Sequence, residues 1–283
     1  PNMALNGFME EQYNVSISFL DWMKVGVPVS LTLLPLAWLS LTRLSFPVNF
    51  QTSEQTQATI INMRHSLGEI KTSEKRVLFI FLFTAFLWVT RGQINNIPGL
   101  EGLSDPGIAM LCGLALFLTP SGSTSENLLE WKDAERGVPW GVLLLFGGGL
   151  SLAAAAQSTG LASWIGGLMP VGLSLVVLVF MFTTLIIFLT ELTSNLATTA
   201  TFLPIVAIIA TQFGFDPILL TASIAIAASC AFMLPVATPP NAIVFGSELI
   251  KVPQMMRAGI VLNVISIVIV SLASIYLVPK FLS

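Results

Sequence analysis

The stretch "LPVATPPNAIVFG" (residues 234–246) interrupts one of the most apolar parts of the chain with two adjacent prolines, a threonine and an asparagine. Proline has no backbone N–H and its ring clashes with the preceding helical turn, so it breaks or ends a helix. Backbone groups freed at membrane depth need partners from protein, water or a ligand, because lipid offers none. The stretch therefore predicts a broken membrane helix whose freed groups face a polar interior.

The composition indicates a polytopic membrane protein. Hydrophobic residues make up 54% and charged residues 10% of the 283 residues, and the mean hydropathy is +0.85. A soluble domain carries about 25% charged residues, so we expect the lipid bilayer as a partner. The sequence contains no basic stripe of the kind that would indicate nucleic-acid binding. Cys112 and Cys230 have no CxxC spacing and His65 is the single histidine, which argues against a zinc site or a hydrolytic enzyme.

Apolar runs of about the length of a membrane helix follow one another along the chain. They lie at about 25–46, 77–96, 106–120, 139–157, 171–190, 196–213, 217–234 and 256–279, with a short piece at 241–250. Cytoplasmic loops collect Lys and Arg, which places inside the connection 42–76, with five of these residues, and the connection 120–138, with Lys132 and Arg136. Following the chain onward, we expect the C-terminus on the outer side. We expect the protein itself in the cell membrane, either a plasma membrane or a bacterial inner membrane. Near-helical apolar spacing in 56–76 predicts an amphipathic helix on the inner surface.

The chain contains a second Pro-Asn stretch, at its beginning. "PNMALNG" (1–7) is followed by a polar turn, Met-Lys-x-Gly and a long apolar span, and "PNAIVFG" (240–246) is followed by a turn, Met-Arg-x-Gly and a span. The first leads to the predicted outer side and the second to the inner side. Opposed copies of one unit indicate an inverted-repeat transporter with its site near the bilayer midplane. Because the chain begins inside the motif, we expect a preceding segment.

A polar interruption also divides the apolar stretch "FLTELTSNLATTATFLP" (188–204). The run 197–211 is only about 22 Å long as a helix, short of a roughly 30 Å core, which favours a re-entrant hairpin over 171–213. Freed carbonyls and hydroxyl or amide oxygens suit Na⁺, whereas helix N-termini suit an anion. A simple kink or hydroxyls bonded to their own helix would explain either motif alone. For Glu191 we favour an orienting or structural role over a proton or cation carboxylate.

Three stretches together resemble one family of carriers. They are "TELTSNLATTATFLPI" (190–205), "SCAFMLPVATPPNAIVFGS" (229–247) and "LLLFGGGL" (143–150). Over essentially its whole length the chain resembles the second half of the divalent anion:sodium symporters, plus the last helices of the first half. The resemblance implies a homodimer whose transport domain moves against a scaffold like an elevator. It also implies coupling to Na⁺ and substrates such as succinate, malate, fumarate or citrate, of which we expect the C4-dicarboxylates.

The resemblance also implies which residues form the site. The substrate would contact Ser194, Asn195, Thr238 and Pro239. Na⁺ would be held by Asn195 and by backbone oxygens around Thr190, Thr193 and Ala237. Neighbouring candidates are Glu191, Leu196, Pro240 and Asn241. The family's hairpin tip usually reads Ser-Asn-Thr, and Leu196 in third place removes a hydroxyl, which bears on the choice between di- and tricarboxylates.

The predicted fold class is an all-α polytopic membrane protein, an inverted-repeat elevator-type transporter with a re-entrant hairpin and broken helices. We predict that residues 1–24 form the end of the first-repeat broken helix and an outer loop, 25–46 a transport-domain helix, and 47–76 an amphipathic arm on the inner surface. Residues 77–170 would form the scaffold helices. Residues 171–283 would form the transport domain, with the hairpin at 171–213, the broken helix at 217–250 and the last helix at 256–279. We expect a Na⁺-coupled dicarboxylate symporter and no enzyme. The alternatives are a Na⁺-independent exchanger of the same fold and a pore or non-transporting membrane module.

Overall fold

The structure, a computed structural model, describes residues 1–46, 68–100, 102–122, 126–137, 172–246 and 249–282, with short pieces between 58 and 66 and between 147 and 167. In chain order the helices are α1 (Asn2–Tyr13), α2 (Phe19–Leu39, extended by a π-helical turn Ser40–Ser45), α3 (Thr72–Ile94), α4 (Asp105–Leu118), α5 (Trp131–Gly137), α6 (Leu175–Leu189), α7 (Asn195–Gln212), α8 (Pro217–Ala227), α9 (Pro239–Gly246), α10 (Val252–Tyr276) and α11 (Val278–Phe281). Most of the predicted span 139–157 and of the arm 47–76 lies outside the described residues.

In the described part of the chain, four helical segments are long and apolar enough to cross a membrane. They are Phe19–Ser45, Thr72–Ile94, Asn195–Gln212 and Val252–Phe281. Three shorter apolar helices, α4, α6 and α8, have 14, 15 and 11 residues. At about 1.5 Å per residue they extend roughly 16 to 23 Å, less than a bilayer core of about 30 Å. These apolar helices, with no strand longer than an isolated bridge in the same residues, confirm the predicted all-α polytopic class.

Two helix boundaries differ from those that hydrophobicity suggests. α2 begins before the apolar run at 25–46 because the Ser18 hydroxyl accepts the N–H of Asp21 at 3.1 Å, which caps the helix. The predicted amphipathic helix does not continue to residue 76. Gly68 has a φ of +69° and Thr72 starts α3, so a left-handed residue separates the two helices. Apolar spacing alone misses both features because they depend on single side chains.

A buried helix, α8, lies at the centre of the compact unit formed by Pro1–Val48 and Trp140–Ser283. α1, α6, α7 and α10 all pack against it. Residues 220–227 are buried throughout, and five of the eight are Ala, Ser or Thr. Small side chains of this kind let neighbouring membrane helices approach closely. Other helices therefore pack against α8 on several sides, and its buried face continues to Ala227, where the helix ends.

A tight turn joins α7 to α8 and makes them antiparallel neighbours. Gly214, with a φ of +75°, donates its N–H to the carbonyl of Thr211 at 3.0 Å, which closes the end of α7. Asp216 Oδ1 then accepts the N–H of Ile218 at 3.0 Å, with Pro217 as the first residue of α8. Both are normal helix-start features. The turn brings the last residues of α8 back beside the first residues of α7, where the candidate site lies.

The second compact unit comprises Asn49–Pro139 and contains the pair α3 and α4. Near one end, the indole N–H of Trp88 donates to the carbonyl of Asp105 at 3.1 Å, and Arg91 forms an ion pair with the Asp105 carboxylate at 3.3 Å. Near the other end, Arg76 Nη1 donates to the carbonyl of Pro120 at 2.5 Å. The two helices are thus connected at both ends by polar contacts.

Candidate functional site

The broken helix predicted at the opening stretch is present. α8 ends at Ala227 and α9 begins at Pro239, so residues 228–238 form an unwound segment. The adjacent prolines open α9, in a first turn whose N–H groups have no partner within the helix. The Thr238 hydroxyl accepts the N–H of Asn241 at 3.4 Å and so caps the new helix. The prolines therefore begin the second half of the broken helix; they do not end the first half.

The carboxylate of Glu191 receives the N–H groups that the break sets free. Phe232, Met233 and Leu234 donate their backbone N–H groups to its two oxygens at 2.8, 3.0 and 3.1 Å. Asn263 Nδ2 donates to Oε1 at 2.8 Å. Glu191 is only 3% exposed, and a buried carboxylate is costly unless donors surround it. The residues 190–195 between α6 and the start of α7, called the hairpin loop after the predicted hairpin, are thereby bonded to the unwound segment.

The side-chain amide of Asn241 donates hydrogen bonds to backbone carbonyl groups that the break sets free. Its Nδ2 donates to the carbonyl of Ala231 at 3.0 Å and to the carbonyl of Leu234 at 3.1 Å. Buried backbone groups almost always have partners, and here the two kinds are divided between two side chains. N–H groups go to the carboxylate of the hairpin loop, and carbonyls go to an amide on the second half of the same helix.

The unwound segment also lies directly against α10, at Gly259. A Cβ atom on Gly259 would be 2.3 Å from the carbonyl oxygen of Phe232 and 2.5 Å from Met233 Cα. No real Cβ sits that close to backbone atoms, so only glycine fits at this position. Asn263 lies one turn further along α10, where it reaches Glu191. α10 therefore fixes the segment both by close packing and by a hydrogen bond.

Three neutral oxygens meet between the hairpin loop and the end of α8. Thr190 Oγ1 lies 2.7 Å from Asn195 Oδ1 and 3.1 Å from the carbonyl oxygen of Ala228. Thr190 is fully buried. A hydroxyl carries one proton, so Thr190 can donate to only one of the two acceptors at a time. A cluster with more acceptors than protons, built from carbonyl, amide and hydroxyl oxygens, suits a hard cation.

The N-terminus of α7 is open to a ligand. Ser174 caps α6 by accepting the N–H of Val177, but Ser194, in the same position on α7, makes no side-chain capping bond among the described residues and is exposed. The neighbouring hydroxyls of Thr193 and Thr198 bond to each other at 2.5 Å. The first N–H groups of a helix and its dipole attract anions. Ser194 thus starts a helix end that can receive a carboxylate.

The predicted site residues fall into two groups in the structure. Those of the hairpin loop are bonded to the unwound segment or adjoin residues that are: Thr190, Glu191, Thr193, Ser194 and Asn195. The others lie at the end of the unwound segment or at the start of α9: in the segment Ala237 is buried and Thr238 half-buried, and in α9 Pro239 and Pro240 are exposed and Asn241 is half-buried. Leu196, in place of the family's threonine, packs against the hydrophobic core.

Sequence reasoning missed three residues of this arrangement. Asn263 and Gly259 are on α10, and Ala228 contributes its carbonyl oxygen at the end of α8. A signal for Asn263 was present, since it is the one amide in the apolar run 256–279, and polar residues inside membrane helices are often functional. A backbone carbonyl such as that of Ala228 leaves no trace in residue type.

Comparison with known proteins identifies the family. Residues 1–279 match the family model described as the sodium:sulfate symporter transmembrane region. The chain belongs to this family of divalent anion:sodium symporters. The resemblance seen in three stretches of sequence is thereby confirmed. The matched region includes both the hairpin loop and the unwound segment.

Two relatives illustrate the similarity. A sodium-dependent dicarboxylate transporter, SdcS, of Staphylococcus saprophyticus subsp. saprophyticus is 39% identical over 287 residues, covering 100% of this chain and 55% of the relative. SdcS of Staphylococcus aureus is 38% identical over 284 residues, covering 99% of this chain and 54% of the relative. The chain thus spans about half the length of the curated relatives it matches. Their names describe transporters, in agreement with the prediction that the chain is not an enzyme.

Proposed function

We propose that the protein is a secondary active transporter that couples Na⁺ to the movement of C4-dicarboxylates of the succinate, malate and fumarate class. One observation carries the proposal. The Glu191 carboxylate bonds the hairpin loop to three N–H groups of the unwound segment. Two polar breaks in apolar surroundings are thereby combined into one site, with oxygens for a cation and a free helix N-terminus for an anion. The names of the relatives support both solutes.

The proposed Na⁺ site lies at the oxygen cluster of the hairpin loop. Asn195 Oδ1 is its central ligand, supported by the oxygens of Thr190, Thr193 and Ala237. The carbonyl of Ala228 joins this set because it lies 3.1 Å from the Thr190 hydroxyl. Neutral oxygens from unwound backbone are typical Na⁺ ligands in transporters with broken helices. Na⁺ here is cargo, and its binding would order the loop that the substrate next contacts.

The proposed substrate site adjoins the Na⁺ site at the N-terminus of α7. Ser194 and Asn195 contact one carboxylate, and Thr238 and Pro239 border the substrate from the start of α9. Because Asn195 belongs to both sites, Na⁺ and dicarboxylate would strengthen each other's binding, and the coupling is reciprocal. The cation offsets part of the charge of the anion, which helix dipoles alone would have to balance.

The proposed transport cycle moves the site as a unit. The compact unit of Pro1–Val48 and Trp140–Ser283 contains both breaks, whereas Asn49–Pro139 forms a separate unit. This division supports a transport domain that carries the site and a scaffold that includes α3 and α4. We place the protein in the plasma membrane as a homodimer, with the C-terminus outside and 171–213 as a re-entrant hairpin within an inverted repeat.

The test is uptake of labelled succinate by the natural full-length protein in proteoliposomes. An inward Na⁺ gradient should drive saturable accumulation, and replacing Na⁺ by K⁺ should abolish it. Undiminished succinate counterflow in Na⁺-free medium would instead establish an exchanger that runs without Na⁺. Flux that rises linearly with succinate concentration would identify a pore. Either result would overturn the symport proposal.

A further inference from the structure

An apolar groove runs between α3 and α4 in the unit Asn49–Pro139. Its volume is about 570 Å³, within the range of about 300–1,000 Å³ that small-molecule sites occupy. The walls are mainly apolar and include Phe79, Phe83, Leu111 and Ala115. Phe79 and Phe83 are substantially exposed and stacked on each other with ring centroids 6.3 Å apart. The groove thus offers a long apolar surface along the membrane-length helix α3 and the shorter apolar helix α4.

Two cationic side chains, those of Lys75 and Arg76, lie at one end of this groove. Lys75 and Arg76 both line it, and neither forms an ion pair within the described residues. Arg76 Nη1 donates to the carbonyl of Pro120 at 2.5 Å, which orients the guanidinium and leaves most of its five N–H donors for another partner. Glu74, the acid next to these cations in sequence, lines a different surface of α3 together with Val77. The mouth of the groove is therefore positively charged.

Three features lead us to expect the cationic mouth at the membrane surface rather than in the hydrocarbon core. Lys75 and Arg76 are the fourth and fifth residues of α3, and α4 ends at Leu118 on the same side of the pair. Just beyond that end, Trp131 is exposed and packs on Phe117 with ring centroids 6.5 Å apart. Tryptophan is enriched at the membrane–water interface. The flanking connections 42–76 and 120–138 together hold seven Lys and Arg residues, against one in the connection 91–105 at the other end of the pair, which predicts that this end is cytoplasmic.

We propose that this groove is a binding site for an anionic phospholipid of the cytoplasmic leaflet. The headgroup phosphate bonds to Lys75 and Arg76, and an acyl chain lies along Phe79 and Phe83. Basic pockets between membrane helices on the cytoplasmic side are typical sites for anionic headgroups. A soluble dicarboxylate would use the cations but leave the apolar wall uncovered. A phospholipid matches both ends of the groove, and the proposal is independent of the transported solute.

The test compares two variants of the full-length protein that lose the same charge on the same predicted side. Lys75→Gln/Arg76→Gln removes both cations of the groove, and Lys132→Gln/Arg136→Gln removes two cations of α5 outside it. Each protein is purified from vesicles of equal phosphatidylglycerol and phosphatidylcholine, and retained lipid is measured by native mass spectrometry. We expect the groove variant to lose phosphatidylglycerol preference by about tenfold or more, and the α5 variant to keep it.

A third variant tests the apolar part of the groove and covers a failure of the charge variant to fold. Ala115→Phe fills the groove beside Leu111 and leaves both cations in place, and it should also reduce retained phosphatidylglycerol. Equal retention in wild type, groove variant and α5 variant would overturn the proposal. So would a change in subunit number without a change in retained lipid, because the groove would then be an interface between copies of this chain.

Discussion

The side-chain amide of Asn263 donates a 2.8 Å hydrogen bond to the carboxylate of Glu191. The bond connects α10 with the hairpin loop, and the same carboxylate holds the N–H groups of Phe232, Met233 and Leu234. Hydrogen bonds to charged groups contribute about 1.5–3 kcal/mol each, and stranding one partner costs more. The shape of the site therefore depends on a group that need not touch either solute.

Replacing Glu191 by Gln should disable transport. The new amide keeps the size of the side chain but turns an NH₂ group toward backbone N–H donors, so at least one acceptor is lost and donors face each other. We expect Na⁺-driven succinate uptake to fall at least tenfold, and the free energy of unfolding to fall by about 3 kcal/mol. Glu130→Gln, the same change at an exposed position, is the control. Uptake equal to that of the control would refute the positioning role.

A double-mutant cycle should show that Asn263 acts through Glu191. Asn263→Ala alone removes one of the donors of the carboxylate, and we expect it to destabilise the protein. The double variant Asn263→Ala/Glu191→Gln should be destabilised by about 0.5–3 kcal/mol less than the sum of the two single destabilisations, because the two residues share one hydrogen bond. The pair Asn263→Ala and Glu130→Gln should be additive in the same unfolding measurements. Additivity in both pairs would contradict the bond.

Gly259→Ala should displace the unwound segment. The added methyl group would lie 2.3 Å from the carbonyl oxygen of Phe232, and overpacking of this kind costs about 1–3 kcal/mol. We expect reduced thermal stability and loss of uptake. Gly113→Ala on α4 is the matched control, since no described atom outside its own stretch of helix lies within 4 Å of its Cβ position, and it should leave uptake unchanged. Equal behaviour of the two variants would mean that the close approach has no role.

Thr190→Val should weaken Na⁺ binding more than folding. Valine keeps the shape of threonine but removes the hydroxyl that contacts Asn195 and Ala228. We expect the Na⁺ concentration for half-maximal uptake to rise by about fivefold or more, the equivalent of one hydrogen bond. Thr184→Val is the control, because within the described residues that hydroxyl bonds only to the carbonyl of Phe180 on its own helix. An unchanged Na⁺ dependence in Thr190→Val would remove Thr190 from the proposed cation site.

Asn195→Ala should abolish Na⁺-driven succinate uptake while the protein still inserts into the membrane. Its side chain belongs to the proposed cation site and the proposed substrate site, so both solutes lose a ligand. Membrane abundance and thermal unfolding measure insertion and folding separately from transport. Asn127→Ala, at an exposed position of the other unit, should transport normally. Wild-type uptake by Asn195→Ala would exclude the hairpin tip from the site.

The sequence predicts where the membrane helices are interrupted because each interruption is a local change of residue type. Pro239 and Pro240 mark the break, and the polar residues at 190–195 mark the loop between α6 and α7. Both are visible against apolar surroundings. The end of the first half of the broken helix is less visible, because no proline stands at Ala228. That end depends on N–H groups captured by a carboxylate distant in sequence.

The partners of the freed backbone groups were beyond prediction for the same reason. Glu191 precedes Phe232 by 41 residues and Asn263 by 72, and only the packing of α6, α8 and α10 brings them together. The role of Gly259 is likewise defined by the atoms of another segment. Residue type indicated that Glu191 was unusual, and the preference for an orienting role over a proton carrier fits its hydrogen bonds.

The bonds of Glu191 also determine how a solute can reach the site. Peeling the hairpin loop away from the unwound segment would leave a carboxylate without donors in a non-aqueous interior, which costs about 3–5 kcal/mol when a buried charge loses its partners. Local opening of the loop is thus a poor gate. Under the proposed transport function, the two breaks would move together as one rigid unit, and carrying the whole site across the membrane would be easier than opening the loop.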